Sequence, residues 1–189
     1  MDPAEYILAL LAIISGLAIS DMVISLHGLL ANRRNVRWDW LTLLAALFVF
    51  LLIVSSWGVS YRAFDELPFG PWVWEFVLTL CQLIALYLAA RAILPDEVRR
   101  SEQIDLADHY AFVSRYFWGS LSVTYGLYLM FAAMLGGVER LPAYWQTIVA
   151  LAAVIALAIW SDRRLHRLVV PALLALMCVS TLPNRLLGG

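Results

Sequence analysis

Apolar runs of about 20 residues constrain the fold of this chain more than any motif does. A helix needs about 20 residues to cross a bilayer hydrocarbon core of roughly 30 Å. Hydrophobic residues fill 63% of the 189 positions and charged residues only 14%, which excludes a soluble domain. We predict six transmembrane helices, at residues 6–30, 40–60, 72–94, 116–135, 143–160 and 165–182.

The longest polar stretch, residues 95–115, lies between the third and fourth spans. It predicts two halves of three helices each, residues 1–94 and 116–189. Four apolar residues near its end recur at the spacing of one helical face: Leu106, Tyr110, Val113 and Phe117. Such a face predicts an amphipathic helix that lies on the membrane surface. The predicted fold is an all-α bundle of six transmembrane helices with one interfacial helix.

Arginine positions predict the orientation of the bundle. The chain has no lysine, so its 13 basic residues are all arginines, and ten of them lie on the side of the first, third and fifth loops. Because cytoplasmic loops are enriched in basic residues, we predict that the odd loops are cytoplasmic and both termini lie outside. His166, in the fifth loop, is expected to face anionic lipid headgroups. Four tryptophans fit an aromatic belt at the cytoplasmic side: Trp38, Trp40, Trp118 and Trp160.

Asp21 stands inside the first apolar run, where an ionised side chain is costly. At 100° per residue it shares one half of the helix with Gly16, Ser20 and His27, and we expect that half to face the bundle. The other half, with Leu11, Met22 and Leu29 among its members, is expected to face lipid.

Asp21 has two interpretations. It is either a structural clamp, paired with Arg91 and a hydroxyl such as Ser55, Ser56 or Thr124, or part of an ion or proton path. The path candidates are Asp21, Ser20, His27 and Arg91.

The segment "DLADH" places Asp105, Asp108 and His109 at i, i+3 and i+4. One helical face would then present two carboxylates and an imidazole to a divalent cation or to general acid–base chemistry. A hydrated polar face explains the same residues without chemistry. No nucleophile motif, phosphate loop or second cluster completes an active site, so we predict no cofactor and no metal.

Small residues on the fourth span predict close helix packing. Gly119, Ser122 and Gly126 follow Arg115 at helical spacing and form a groove on one face. This groove can receive the first helix at Gly16, a second copy of the chain or another membrane protein.

Three stretches resemble a widespread group of bacterial membrane proteins of six spans that have no assigned activity. They are "ISGLAISDMVISLHGLLANRRNVRWDW", "LYLAARAILPDE" and "DLADHYAFVSRYFWG". The resemblance implies a multi-pass protein of the bacterial inner membrane, which would make both termini periplasmic. It implies nothing about chemistry.

Three classes of function are compatible with this sequence. The first, which we favour, is a small channel or transporter-like protein with a polar path beside Asp21, which predicts water or a cavity there. The second is a non-catalytic scaffold or accessory subunit, whose small-residue faces are filled by helix contacts. The third is a membrane enzyme using Asp105, Asp108 and His109. Nucleic-acid binding is excluded because the net charge is −1 and the arginines follow membrane topology.

Overall fold

The computed structural model describes residues 3–66, 73–95 and 103–181. Within these ranges the chain is a bundle of six α-helices with a short 3-10 helix and one pair of two-residue strands. In chain order the elements are α1 (Pro3–Ala31), β1 (Val36–Arg37), α2 (Trp40–Glu66), α3 (Val73–Ile93), β2 (Ile104–Asp105), α4 (Leu106–Gly136), the 3-10 helix (Val138–Tyr144), α5 (Trp145–Ile159) and α6 (Arg163–Thr181). Parts of the two predicted halves and of the predicted linker, at residues 1–2, 67–72, 96–102 and 182–189, lie outside the described residues.

By length and composition, five segments of the described chain are able to cross a bilayer: Leu8–Ala31, Trp40–Trp57, Phe76–Ile93, Leu106–Met134 and Val138–Ile159. α6 is not among them. It begins with Arg163 and Arg164 and carries Pro171 in its interior rather than in its first turn. The chain is therefore a helical bundle of the membrane-protein class.

The predicted interfacial helix is wrong. α4 runs without a break from Leu106 to Gly136, so the fourth span begins ten residues earlier than expected. The apolar face that we assigned to the membrane surface packs inside the bundle, where Leu106 and Phe117 are fully buried and Tyr110 is nearly so. The spacing identified a helix and its apolar face correctly, but it could not show whether that face meets lipid or protein.

The predicted faces of α1 are also wrong. Leu11, Met22 and Leu29 are buried in the bundle, whereas Gly16, Ser20 and His27 are exposed. Lipid tails are as apolar as leucine, so hydrophobicity alone does not distinguish the core face of a transmembrane helix from its lipid face. The buried face of α1 also holds Ser15, Ala18 and Ser25, and large apolar side chains such as Val23 and Ile24 are exposed beside the outward small and polar residues.

The first, third and fifth loops meet at one end of the bundle, which we call the odd-loop end (residues 32–39, 103–105 and 160–162). β1 pairs in parallel with β2, with Val36 opposite Ile104. Arg163, directly after the fifth loop, contacts Asp39 of the first loop. The common side predicted for these loops agrees with this arrangement. The most extensive helix contact, between α3 and α4, joins the two predicted halves.

Candidate functional site

An ion-pair cluster joins α1 to α3. Asp21 Oδ2 accepts hydrogen bonds from the Tyr87 hydroxyl at 2.8 Å and from Arg91 Nη1 at 3.2 Å. The side chains of Asp21 and Arg91 are 27% and 49% exposed, so the pair lies at the surface of the bundle rather than in its interior. An ion pair neutralises both charges at a depth where an isolated carboxylate would be costly.

The sequence predicted Arg91 as the cation for Asp21, but it missed the hydroxyl partner. The predicted hydroxyls of Ser56 and Thr124 donate instead to carbonyls of their own helices, Ile53 and Ser120. A signal for Tyr87 was present, because Tyr87 and Arg91 are four residues apart and therefore neighbours on one face of α3.

The remaining path candidates, Ser20 and His27, do not join this cluster. Both are exposed on the outward face of α1. Gly16 shares that face, and a Cβ atom added there would meet no other atom within 4 Å. The four candidates therefore lie on the outer surface of a single chain, with Asp21 and Arg91 in contact and Ser20 and His27 separate from them.

The small-residue groove of α4 is likewise open. A Cβ atom built on Gly119 or Gly126 would have no neighbour within 4 Å. The Ser122 hydroxyl donates to the carbonyl of Trp118, one turn back on the same helix. Within the described chain, no helix fills this groove at the glycines, and Gly16 does not meet it.

A second polar cluster ties the odd-loop end together. Asp39, which is buried, accepts hydrogen bonds from the Thr42 amide and hydroxyl and caps the start of α2. Arg163 Nη2 lies 2.7 Å from Asp39 Oδ1. The Thr42 hydroxyl also lies 3.0 Å from the carbonyl oxygen of Leu106. The Asp39 carboxylate thus connects the first loop to α2 and α6, and Thr42 connects α2 to the start of α4; no sequence pattern predicted this cluster.

A buried histidine lies beside this cluster. His166 is 2% exposed, with Nδ1 2.7 Å from the Tyr110 hydroxyl and Nε2 2.9 Å from the carbonyl oxygen of Trp160. Because a carbonyl only accepts, Nε2 carries the hydrogen, and a ring protonated at Nε2 alone accepts from the Tyr110 hydroxyl through Nδ1. Trp118 Nε1 in turn donates to the Tyr110 oxygen at 3.0 Å.

This chain of hydrogen bonds corrects two predictions. His166 does not face lipid headgroups, and Trp118, which is fully buried, does not belong to an aromatic belt. The basic neighbours of His166 and the other three tryptophans of the predicted belt do lie at the surface. The His166 and Trp118 side chains turn inward because α4 and α6 each pack against α2 and α5, an arrangement that no local pattern specifies.

The "DLADH" residues do not form a site. Asp105 accepts from the Ala107 amide at 2.8 Å as the N-cap of α4, and it pairs with Arg37 at 2.8 Å. His109 Nε2 lies 3.2 Å from the carbonyl oxygen of Ala92, whereas Asp108 is exposed. No group of three residues able to hold a metal ion occurs in the described ranges.

The fold and these clusters place the chain in the class of helical membrane proteins. In comparisons with known proteins, no family model, curated protein or solved structure matches it.

Proposed function

We propose that this chain is a non-catalytic scaffold or accessory subunit of the bacterial inner membrane, which assembles with a second copy through the outward face of α1. The odd loops would be cytoplasmic, and both termini would be periplasmic. The small-residue faces that a scaffold was expected to fill by helix contacts are open within the described chain, so the proposal places the contact of α1 between copies. The observation that carries it is the exposure of small and polar side chains along one face of an apolar helix.

The outward face has the geometry of a helix contact. Gly16, Ser20 and His27 lie at i, i+4 and i+11, so their directions fall within about 40° of one another at 3.6 residues per turn. Facing hydrocarbon, the hydroxyl and the imidazole would lose hydrogen-bond partners. Facing another helix, the Gly-x-x-x-Ser spacing allows two backbones to approach closely.

A second copy is the occupant that this face fits best. Close approach of two helices requires small residues on both of them, and the same face of another copy supplies Gly16 and Ser20 in register. The Asp21–Arg91 pair, on the α3 side of α1, is half-exposed and already neutral as a pair. It therefore adds no net charge for the second copy to bury.

Co-purification of two differently tagged copies, expressed together and extracted in mild detergent, tests this assembly. Ser20→Leu removes the small residue at the centre of the face, so the second copy should no longer be recovered. Val149→Leu enlarges a side chain that is equally outward-facing on α5, and it should leave recovery unchanged. Equal recovery of wild type and Ser20→Leu would contradict the proposal.

A transporter-like or channel function is the second candidate, and the positions of the path residues favour a path between two copies of the chain. Asp21, Ser20, His27 and Arg91 all lie on the outer surface of one chain, so a polar path using them would run between copies. Ion or proton flux into liposomes separates the two candidates. Flux by wild type that Asp21→Asn abolishes, with the fold intact by thermal melting, supports a path, whereas absence of flux in both proteins supports the scaffold.

A further inference from the structure

A small cleft opens at the odd-loop end between α4 and the start of α6. Its volume is about 80 Å³, and α4 contributes Ala107, Ala111 and Ser114 to its wall, while Ser161 and Arg163 form the opposite side. The alanines leave room where larger side chains would fill the space. The cleft therefore combines a small apolar floor with a polar, cationic wall.

Two arginines contribute guanidinium groups to the Ser161 side of this cleft. Arg163 lines it, and Arg115 Nε donates to the Ser161 hydroxyl oxygen at 3.3 Å. Arg163 gives one hydrogen bond to Asp39, which fixes its position, but a guanidinium group has five N–H donors. Asp162, between Ser161 and Arg163 in sequence, accepts from the Arg164 amide at 2.9 Å. Arg115, Arg163 and Arg164 against Asp39 and Asp162 leave one net positive charge around the cleft.

The other polar side chains that line the cleft are already paired. Tyr110 and His166 line it, but their hydrogen bonds run to each other, to Trp118 and to the Trp160 carbonyl. The Ser161 oxygen accepts from Arg115, so its own hydroxyl hydrogen can be donated into the cleft. The available groups are thus donors and cations, which suits an anion.

Exposed aromatic side chains next to the cleft indicate its level in the membrane. Phe112 and Tyr116 flank the α4 wall in sequence and are 89% and 52% exposed, and Trp160, beside Ser161, is 59% exposed. Aromatic side chains of this kind concentrate where the hydrocarbon meets the headgroups. An anion that reaches the cleft at this level is most simply the phosphate of a lipid.

We propose that this cleft binds the phosphate group of an anionic phospholipid, between Arg115 and Arg163, with the Ser161 hydroxyl as a further donor. Guanidinium groups bind phosphate through charge-assisted hydrogen bonds. The site is separate from the outward face of α1 and does not depend on assembly of two copies.

The test measures lipid binding by the full chain in a neutral detergent. Phosphatidylglycerol should raise the thermal unfolding midpoint and remain bound, at one lipid per chain, in native mass spectrometry. Phosphatidylcholine should do neither at the same concentration. Arg115→Gln should weaken phosphatidylglycerol binding about fivefold, the effect of losing roughly 1 kcal/mol for one arginine near a lipid headgroup. Arg115 is chosen because Arg163 also holds Asp39, so replacing Arg163 would disturb the fold.

Arg34→Gln is the matched control, since Arg34 is an exposed arginine of the first loop that does not line the cleft. Its affinity for phosphatidylglycerol should stay at the wild-type value. The proposed site is overturned if wild type and Arg115→Gln bind phosphatidylglycerol equally well. It is also overturned if Arg115→Gln and Arg34→Gln lose the same affinity for phosphatidylglycerol. If inorganic phosphate alone stabilises the chain, with the same dependence on Arg115, the ligand is free phosphate and the assignment to a phospholipid is overturned.

Discussion

At the residue scale, the sequence predicted some of the partners of the polar side chains in apolar helices and gave no sign of others. The pairing of Asp21 with Arg91 could be predicted, because a carboxylate within a span needs a cation and Arg91 was the nearest one in depth. The Tyr110–His166 hydrogen bond joins residues 56 positions apart. It depends on how α4 and α6 each pack against α2 and α5, so nothing in the local sequence of either helix pointed to it.

Tyr110→Phe tests that hydrogen-bond chain. The substitution leaves His166 Nδ1 and Trp118 Nε1, both directed at the lost oxygen, without that partner in a buried place. We expect a loss of about 1–3 kcal/mol of folding free energy, measured as a lower thermal unfolding midpoint in detergent. Tyr116→Phe, at a half-exposed position of the same helix, should change the midpoint little. Equal midpoints for the two variants would show that the network does not stabilise the fold.

At the scale of elements, the sequence located helices better than it oriented them. Trp40 begins α2 as predicted, and α1 and α3 end within a residue of the expected positions. The faces of α1 and the start of α4 were wrong for a shared reason. In both cases an apolar face was assigned to lipid although it packs against other helices, and the two environments select similar side chains.

The continuous start of α4 leads to a prediction about Asp105. Asp105→Ala removes the cap on the Ala107 amide, a loss of about 1 kcal/mol, while the lost bridge to Arg37 adds little because Arg37 is 79% exposed. Amide hydrogen exchange in the first turn of α4 should become about fivefold faster. Asp108→Ala, in the same turn but exposed, should leave exchange unchanged. Protection that survives Asp105→Ala would mean that α4 does not depend on this cap.

At the scale of the whole molecule, three loops that are distant in sequence come together at one end. The alternation of the predicted spans places these loops on a common side, and the β1–β2 pairing and the Arg163–Asp39 ion pair agree with it. The division into two halves followed from the polar linker. The extensive contact between α3 and α4 crosses that division, and a polar stretch in the sequence gives no information about such contacts.

The proposed orientation predicts which loops a membrane-impermeant maleimide reaches. In a chain with Cys81 and Cys178 replaced by alanine, Glu139→Cys should be labelled in intact spheroplasts. Arg33→Cys should be labelled only after the membrane is permeabilised. Both positions are exposed, so accessibility within the protein is matched. The reverse labelling pattern would place the odd loops outside.

The central claim, that the outward face of α1 is the contact between copies, is tested most directly by cross-linking in native membranes. In the same cysteine-free chain, Ser20→Cys should give a covalent dimer on mild oxidation, because two copies of this face would bring their Ser20 positions together. Val149→Cys, exposed on α5, should remain monomeric. If Ser20→Cys forms no more dimer than Val149→Cys, the face is not a contact between copies, and the account of α1 as an assembly helix is contradicted.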